Sequence, residues 1–299
     1  MFKKYYNLPL EIQGIIVMML SQFFFASNDA FVKYILSFHD NNISVLGQIV
    51  FIRGVITTLL IGLILYFQRQ LELQMMLGSG KLWIRGLIEG GCAIFFFLGL
   101  ATLPLGDLYV LLNLAPIIIT ASAAIILKET VGWRRWSAVI IGFIGVVIVI
   151  NPTKLEFGFA FIFPLLAALL IAYRDTYTRQ FQFKFDSIQI AFVTSLVVTI
   201  IFGIFMLFHF VPMTFKEFIF IVCSAILLAF GYICAVATIK IATMSTTSTF
   251  RYTVIIWGIM YGYFFFNEIP SLNMIIGSSI VVASGLFIIY RQKKIGIIN

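Results

Sequence analysis

Charge is what this chain has least of: Asp, Glu, Lys and Arg make up 11% of its 299 residues, against about a quarter in a soluble domain. Too few charges remain to coat a water-facing surface, which excludes a soluble enzyme and a disordered chain. Long polar connections are missing too. The longest runs from Gln68 to Lys81, too short for a soluble domain, a nucleotide-binding motor or a receptor ectodomain. No GxxxxGK[ST] loop occurs, so ATP is not the direct drive. Cysteine is scarce: Cys92, Cys223 and Cys234 sit inside apolar runs with no CxxC and no His nearby. Neither a disulfide framework, a metal site nor a resident cofactor is expected. His39 and His209 stand at the edges of apolar runs, and no DxxxD or HxxxxD pattern appears. An intramembrane acyl- or prenyl-transferase is therefore the remote alternative. The net charge of +8 invites a nucleic-acid reading, but the basic residues lie singly between apolar runs and form no basic face.

Hydrophobic residues, by contrast, make up 62% of the chain, and mean hydropathy is +1.08. A bilayer core needs about 20 apolar residues per helix. Ten stretches meet that length, at roughly 12–37, 44–67, 82–103, 107–127, 134–151, 157–178, 187–209, 216–239, 245–266 and 272–290. They are about twice too long for barrel strands and do not alternate. The first stretch follows Lys3 and Lys4 as a signal peptide would, but it is too long and lacks a small-residue cleavage site before Asn28 and Asp29. It reads as a retained helix.

Orientation follows from the basic residues of the short loops. With the N-terminus inside, the cytoplasmic segments hold Lys3, Lys4, Arg69, Lys81, Arg85, Lys128, Arg134, Arg135, Arg179, Lys184, Lys240, Arg291, Lys293 and Lys294, while the outer loops hold only Lys154 and Lys216. Both termini are expected in the cytoplasm.

Four basic residues lie within spans: Lys33, Arg53, Arg174 and Arg251. Their placement points to an internal repeat. Asn28-Asp29-Ala-Phe-Val-Lys33 in the first span matches Arg174-Asp175-Thr-Tyr-Thr-Arg179 in the sixth, each an acid followed four residues later by a base. Lys128-Glu129 after the fourth span matches Asn267-Glu268 after the ninth, each followed by a Gly-rich helix. Ala101-Thr102 and Ala237-Thr238 fall between these anchors in the same order. Five helices is an odd number, so two such halves enter the membrane from opposite sides, the inverted architecture of many secondary transporters. The expected fold is an all-α membrane protein of ten transmembrane helices, residues 1–152 forming one five-helix repeat and 153–299 the other.

Ten spans in two halves, a Glu closing the fourth and ninth helices, and Gly-rich fifth and tenth helices resemble the EamA-type permeases of the drug/metabolite transporter superfamily. The resemblance covers the whole chain. Arg174-Asp175-Thr-Tyr-Thr-Arg179, Phe250-Arg251-Tyr252 and Phe266-Asn267-Glu268-Ile-Pro270 further resemble a bacterial subgroup that includes S-adenosylmethionine uptake permeases. It implies a small-molecule substrate, a bacterial inner-membrane location, and a central cavity lined by the first, sixth and ninth helices.

An ionised side chain at the bilayer centre costs roughly 3 kcal/mol on insertion scales, so each must be paired or face water. Asp29 and Lys33, one turn apart, are expected either to neutralise each other or, with Asn28, to touch substrate. Arg53 has no acid at helical spacing; it either finds a partner such as Asp29 or snorkels. Arg251, with Tyr252 beside it, is the foremost substrate candidate, a bidentate clamp for a carboxylate or phosphate. The competing reading ties it to Glu89 or Asp175. Arg85 is expected as an interfacial anchor. Glu89 either pairs with Arg85 or carries a coupling proton. Arg174 and Asp175 close the inner end of the sixth span, Asp175 as the cavity-facing counterpart of Asp29. Asn113 and Pro116, and separately Pro164, are candidate kinks that free a carbonyl for substrate. Gly86xxxGly90, Gly142xxGly145 and Gly258xxxGly262 permit close helix contact. The 33 Phe read as lipid-facing bulk, with Tyr34, Tyr109, Tyr173, Tyr232, Tyr252 and Trp257 as possible ligand-stacking exceptions.

The function expected from these residues is a secondary active or exchange carrier for a small organic metabolite, best matched by a zwitterion such as S-adenosylmethionine or an amino acid. A multidrug or metabolite exporter on the same scaffold is the alternative, in which the charges pair among themselves. A monomer or a homodimer in the bilayer fits either reading.

Overall fold

A computed structural model describes residues 9–40, 42–115, 117–118, 133–150, 158–179, 184–208, 210–241 and 249–294. Every regular element among them is helical. They are α1 (Leu10–Ser37), α2 (Ile43–Phe67), the short α3 (Leu73–Leu77), α4 (Gly80–Thr102), α5 (Leu105–Leu112), α6 (Trp133–Ile150), α7 (Ile162–Arg179), α8 (Ser187–Phe208), α9 (Phe215–Ile241), α10 (Thr253–Phe266) and α11 (Leu272–Lys294). Single 3-10 turns, Gly158–Phe161 and Thr249–Tyr252, lead into α7 and α10. Six helices among the described residues are long and apolar enough to cross a bilayer: Ile12–Ser37, Val45–Phe67, Gly80–Thr102, Gly158–Thr178, Ile188–Leu207 and Phe215–Ala235. Ile140–Ile150 and Leu272–Ser284 are apolar but shorter. The expected spans 107–127 and 245–266 are described only in part, as α5 and α10 with its leading 3-10 turn. Glu129 and Pro116 lie outside the described residues.

Local sequence accounts for where several helices begin and break. Thr214-x-x-Glu217 forms a capping box at the start of α9: the Thr214 backbone N–H and hydroxyl donate to Glu217 Oε2 at 2.6 and 2.8 Å, and the Glu217 N–H donates back to Thr214 Oγ1 at 3.3 Å. Helix α5 stops at Leu112, and Asn113, in the turn that follows directly, folds back to give both its N–H (3.1 Å) and its Nδ2 (2.8 Å) to the Tyr109 carbonyl. Asn113 thus spends its amide closing the helix end, while the kink expected at Pro116 falls outside the described residues. Pro164, expected as a kink, stands instead in the first turn of α7, where a missing N–H costs nothing.

Packing runs in crossed pairs rather than along the chain. Helix α1 packs on α9 and α10, α2 on α8 and α9, α4 on α7 and α8, α5 on α10 and α7, and α6 on α11. Helices far apart in sequence are thus interleaved around a core that includes Ile35, Leu36, Ile49, Leu100, Leu105, Leu108 and Ile221. The α6–α11 crossing shows why small residues are needed: a Cβ on Gly145 would stand 3.0 Å from the Gly277 carbonyl oxygen, and one on Gly277 2.5 Å from the Gly145 oxygen. The outward faces are apolar, with Leu59, Phe143, Ile256 and Phe264 all exposed. A bilayer solvates such a surface, and water does not.

Candidate functional site

Helix α1 carries an unusual row of buried polar residues: Ser21, Gln22, Ser27, Asn28, Asp29 and Lys33. In an apolar bundle each must find a partner inside the protein. The partners gather into three groups.

The first lies where α1, α2, α5 and α9 meet. Tyr109 donates its hydroxyl to Asp29 Oδ2 at 2.8 Å, and Asn28 Nδ2 donates to Asp29 Oδ1 at 2.8 Å. Asn28 Oδ1 accepts from Arg53 Nη1 at 3.0 Å and from Ser224 Oγ at 2.7 Å. The Arg53 guanidinium also lies 5.0 Å from the centre of the Phe97 ring. Arg53 is therefore buried in the bundle and does not snorkel. Its direct partner is Asn28, which relays it to Asp29, while its Nε has no hydrogen-bond partner. Next to Asn28 on α1, Ser27 shares a 2.5 Å hydrogen bond with Tyr261, and one turn earlier Phe23 meets Trp257 edge to face at 5.1 Å.

The second group sits toward the C-terminal end of α1. Lys33 does not pair with Asp29. Its Nζ donates to Glu268 Oε1 and to the Leu103 carbonyl, both at 2.6 Å. Four-residue spacing allows the Asp29–Lys33 contact, but Asp29 is already held by Tyr109 and Asn28, and the Lys chain reaches two acceptors beyond it. Glu268 completes the group by accepting the Leu105 N–H at Oε2, 2.9 Å. Beside it opens a cavity of about 480 Å³ whose lining includes Asp107, Glu268, Gly262, Asn273 and Met274. At the same end His39 meets Glu217 at 2.6 Å.

The third group lies toward the C-terminal end of α7. Arg174 bridges two carboxylates, Glu89 at 2.6 Å and Asp175 at 2.8 Å. Glu89 thus pairs with Arg174 and not with Arg85. Arg85 donates instead to Thr178 Oγ1 at 3.1 Å and to Thr194 Oγ1, so it is tied between α7 and α8 rather than extended to an interface. Arg251 is exposed, and among the described residues it makes no hydrogen bond or ion pair. It acts on Asp175 only through space, so the expected permanent tie to Glu89 or Asp175 is absent. Tyr252 is buried, with a hydroxyl that has no partner; the Trp257 indole N–H is likewise buried and unpartnered. The Arg179 side chain lies outside what the structure describes.

The structure therefore brings Asn28, Asp29 and Arg53 together, and separately Arg174, Asp175 and Glu89, with Arg251 near the latter. Among the described residues Tyr252 joins neither group, and Asn113 touches the first only through its bond to the Tyr109 carbonyl. Ser224, Thr178 and Thr194 are site neighbours that sequence reasoning passed over, while Tyr109 was named only as a stacking ring and Glu268 only as a repeat and family marker, neither as a partner of Asp29 or Lys33. Glu268 alone carried a signal, since a carboxylate at the end of the ninth span needs a cation at its own depth, and Lys33 ends the first.

A sequence model of the EamA-like transporter family matches residues 12–151 and 158–290. The S-adenosylmethionine uptake transporter of Rickettsia prowazekii (strain Madrid E) is 27% identical over 213 residues, 71% of this chain and 72% of that protein. The pseudopaline exporter CntI of Pseudomonas aeruginosa (strain UCBPP-PA14) is 23% identical over 289 residues, 96% of this chain and 99% of its own length. A riboflavin transporter of Rhizobium johnstonii is 23% identical over 197 residues, 66% and 65% of the two chains. One solved crystal structure superposes with a TM-score of 0.60 at 13% identity, covering 94% of this chain and 98% of that one, a likeness of fold alone. The three named relatives are transporters or exporters of small molecules. The chain is a multi-pass membrane protein of a small-metabolite transporter family.

Proposed function

The chain belongs to the EamA-like transporter family, and from that membership we propose that it is a secondary carrier or exchanger for a small zwitterionic metabolite. It works by alternating access across the bacterial inner membrane, with S-adenosylmethionine or an amino acid as its cargo. Ten spans form two inverted five-helix halves meeting near residue 152, with both termini in the cytoplasm.

The helix pairing supports that architecture. Counting α1, α2 and α4–α11 as the first to tenth spans, the first pairs with the eighth and ninth, the sixth with the third and fourth, the second and third with the seventh, and the second with the eighth. Shifting every number by five turns this set into itself, as two halves related by a two-fold axis require. The fifth–tenth and fourth–ninth pairs lie on the axis. Two matched family segments, ending at 151 and starting at 158, fit the same division.

The observation that carries the cargo class is the charge inventory of the third group. Arg85, Arg174 and Arg251 stand against Glu89 and Asp175, and among the described residues Arg251 alone of the three makes no hydrogen bond or ion pair. A substrate carboxylate fits the free Arg251 fork, and a sulfonium or ammonium fits the Asp175 side, where Arg174 already divides its charge between two acids. The relative that takes up S-adenosylmethionine adds weight to that choice.

Uptake of labelled S-adenosylmethionine into proteoliposomes, with and without a pH gradient, tests the reading. Saturable uptake that falls at least tenfold in Arg251→Ala and partly returns in Arg251→Lys is the expected result. Failure of S-adenosylmethionine and of amino acids to enter or exchange overturns the cargo class. The direct pairing of Lys33 with Glu268 and of Arg174 with Glu89 and Asp175 favours the exporter as the second reading, and transport of an apolar cation with no zwitterion uptake would establish it.

A further inference from the structure

We propose that Lys33 and Glu268 are positioning residues that latch one end of the carrier, joining its two halves there and releasing them in each transport cycle. The inference rests on the alternating-access reading, because a carrier must seal one end of its path while the other is open.

Every element of the latch has a defined support. Glu268 follows α10 directly. Asn267 takes a left-handed backbone (φ 54°), a conformation Asn tolerates better than most residues, and this turns the Glu268 N–H back onto the Gly262 carbonyl at 2.9 Å. The carboxylate then folds over Gly262: a Cβ there would stand 2.6 Å from Glu268 Oε2. The two carboxylate oxygens face different elements of the other half. Oε1 takes Lys33 of α1 at 2.6 Å, and Oε2 takes the N–H of Leu105, the first residue of α5, at 2.9 Å. Lys33 in turn holds the Leu103 carbonyl at the end of α4, with the Phe266 ring 5.4 Å from its Nζ. One carboxylate and one ammonium thus fasten α1, the α4–α5 junction and the α10–α11 junction together.

The arrangement differs from an ordinary packing contact in two ways. It crosses between the halves toward one end of the bundle, where α10 ends and α5 begins, rather than along the length of a helix interface. It is also made of groups that water satisfies equally well: an ammonium, a carboxylate, a backbone carbonyl and a backbone N–H. Pulling the α10–α11 junction away from α5 exposes each of them to solvent without stranding a buried polar group. A seal made of apolar side-chain contacts would lack that reversibility, whereas this one opens into water. The neighbouring cavity, with Asp107 on its wall, leaves room for the α10–α11 junction to move.

The test uses the full chain with Cys92, Cys223 and Cys234 replaced by Ser and a single thiol introduced by Ala30→Cys. Ala30 is buried on α1, three residues inside the latch, and the variant must retain transport. Intact cells are treated with a membrane-impermeant maleimide. Glu268→Gln, Lys33→Gln and Gly262→Ala, the last displacing the carboxylate by its added methyl, should each speed labelling at least tenfold, and Lys33→Arg should not. The same three variants should lose net uptake more than they lose binding of labelled substrate to solubilised protein. Unchanged labelling in folded Glu268→Gln and Lys33→Gln proteins overturns the latch. Labelling that responds to saturating substrate but not to these variants removes the latch and leaves alternating access standing. Labelling that responds to neither, in a protein that still transports, removes alternating access itself.

Discussion

Arg174 offers the most exposing perturbation. It holds Glu89 at 2.6 Å and Asp175 at 2.8 Å, and its side chain is only 16% exposed. Replacing it with Gln leaves two carboxylates inside the bundle without their shared cation. Removing one partner of a buried ion pair costs about 3–5 kcal/mol, because the stranded charge stays desolvated. Glu89→Gln is milder: Arg174 keeps Asp175, and the loss is one charge-assisted hydrogen bond, about 1.5–3 kcal/mol. The double variant Arg174→Gln with Glu89→Gln strands one carboxylate instead of two. It should therefore be more stable than the sum of the single losses predicts, with a coupling of about 1–3 kcal/mol. At about 2–4 °C per kcal/mol, the thermal midpoint in detergent falls by about 10 °C for Arg174→Gln, and adding Glu89→Gln to it lowers the midpoint by much less than Glu89→Gln does alone. Strict additivity of the two shifts would refute the reasoning, since it would mean that Arg174 and Glu89 do not share an interaction.

Tyr109→Phe removes one of the two donors on Asp29 and should lower stability by about 1.5–3 kcal/mol. Adding Asp29→Asn should return part of that loss, and an unchanged thermal midpoint in Tyr109→Phe would show that the hydroxyl does not hold the carboxylate. Gly145→Val forces a branched side chain against the Gly277 backbone, where no side chain can yield, and should cost at least the 1–3 kcal/mol of an overpacked core. Its readout is the yield of monodisperse protein in detergent, which should drop sharply, whereas the same change at exposed Gly80, which has open space around it, should not affect it.

The membrane fold was readable because it rests on composition and length, which a bilayer constrains directly. The runs 12–37, 44–67 and 187–209 reappear as α1, α2 and α8 within a few residues. Partner choice was another matter. Asp29 and Lys33 are four residues apart, and Arg85 and Glu89 are as well, so local spacing proposed two intrahelical pairs. Neither forms, because long side chains reach across to other helices: Lys33 to Glu268, Glu89 to Arg174, Arg85 to Thr178 and Thr194. Spacing along one helix fixes which residues share a face, but the strongest partner is set by which helices cross there. Those crossings join residues 235 and 85 positions apart, and no local pattern encodes them. Asn113 shows the same limit: its place in an apolar run marks a break in the span, but its bond to the Tyr109 carbonyl at the end of α5 is a contact no spacing announces.

The energetic scale of the latch is consistent with its being opened. A carrier whose latched state dominates by 99 to 1 needs about 5.5 kcal/mol of differential binding to reverse that ratio. A micromolar substrate supplies about 8 kcal/mol in total, and only the part realised in one state alone can act on the equilibrium. The seal must therefore hold with a few kcal/mol and no more. One ion pair and two hydrogen bonds to charged groups reach that range, because their gross strength is offset by the hydration regained on opening. The side-chain exposures of Lys33 and Glu268, 11% and 19%, place the pair between a fully buried bridge, which is too costly to break, and a surface bridge, which is too weak to hold. Substitutions that bury the pair further should therefore trap the carrier rather than stabilise a working one: slower opening, tighter closure and lower turnover, with binding of substrate from the opposite end preserved.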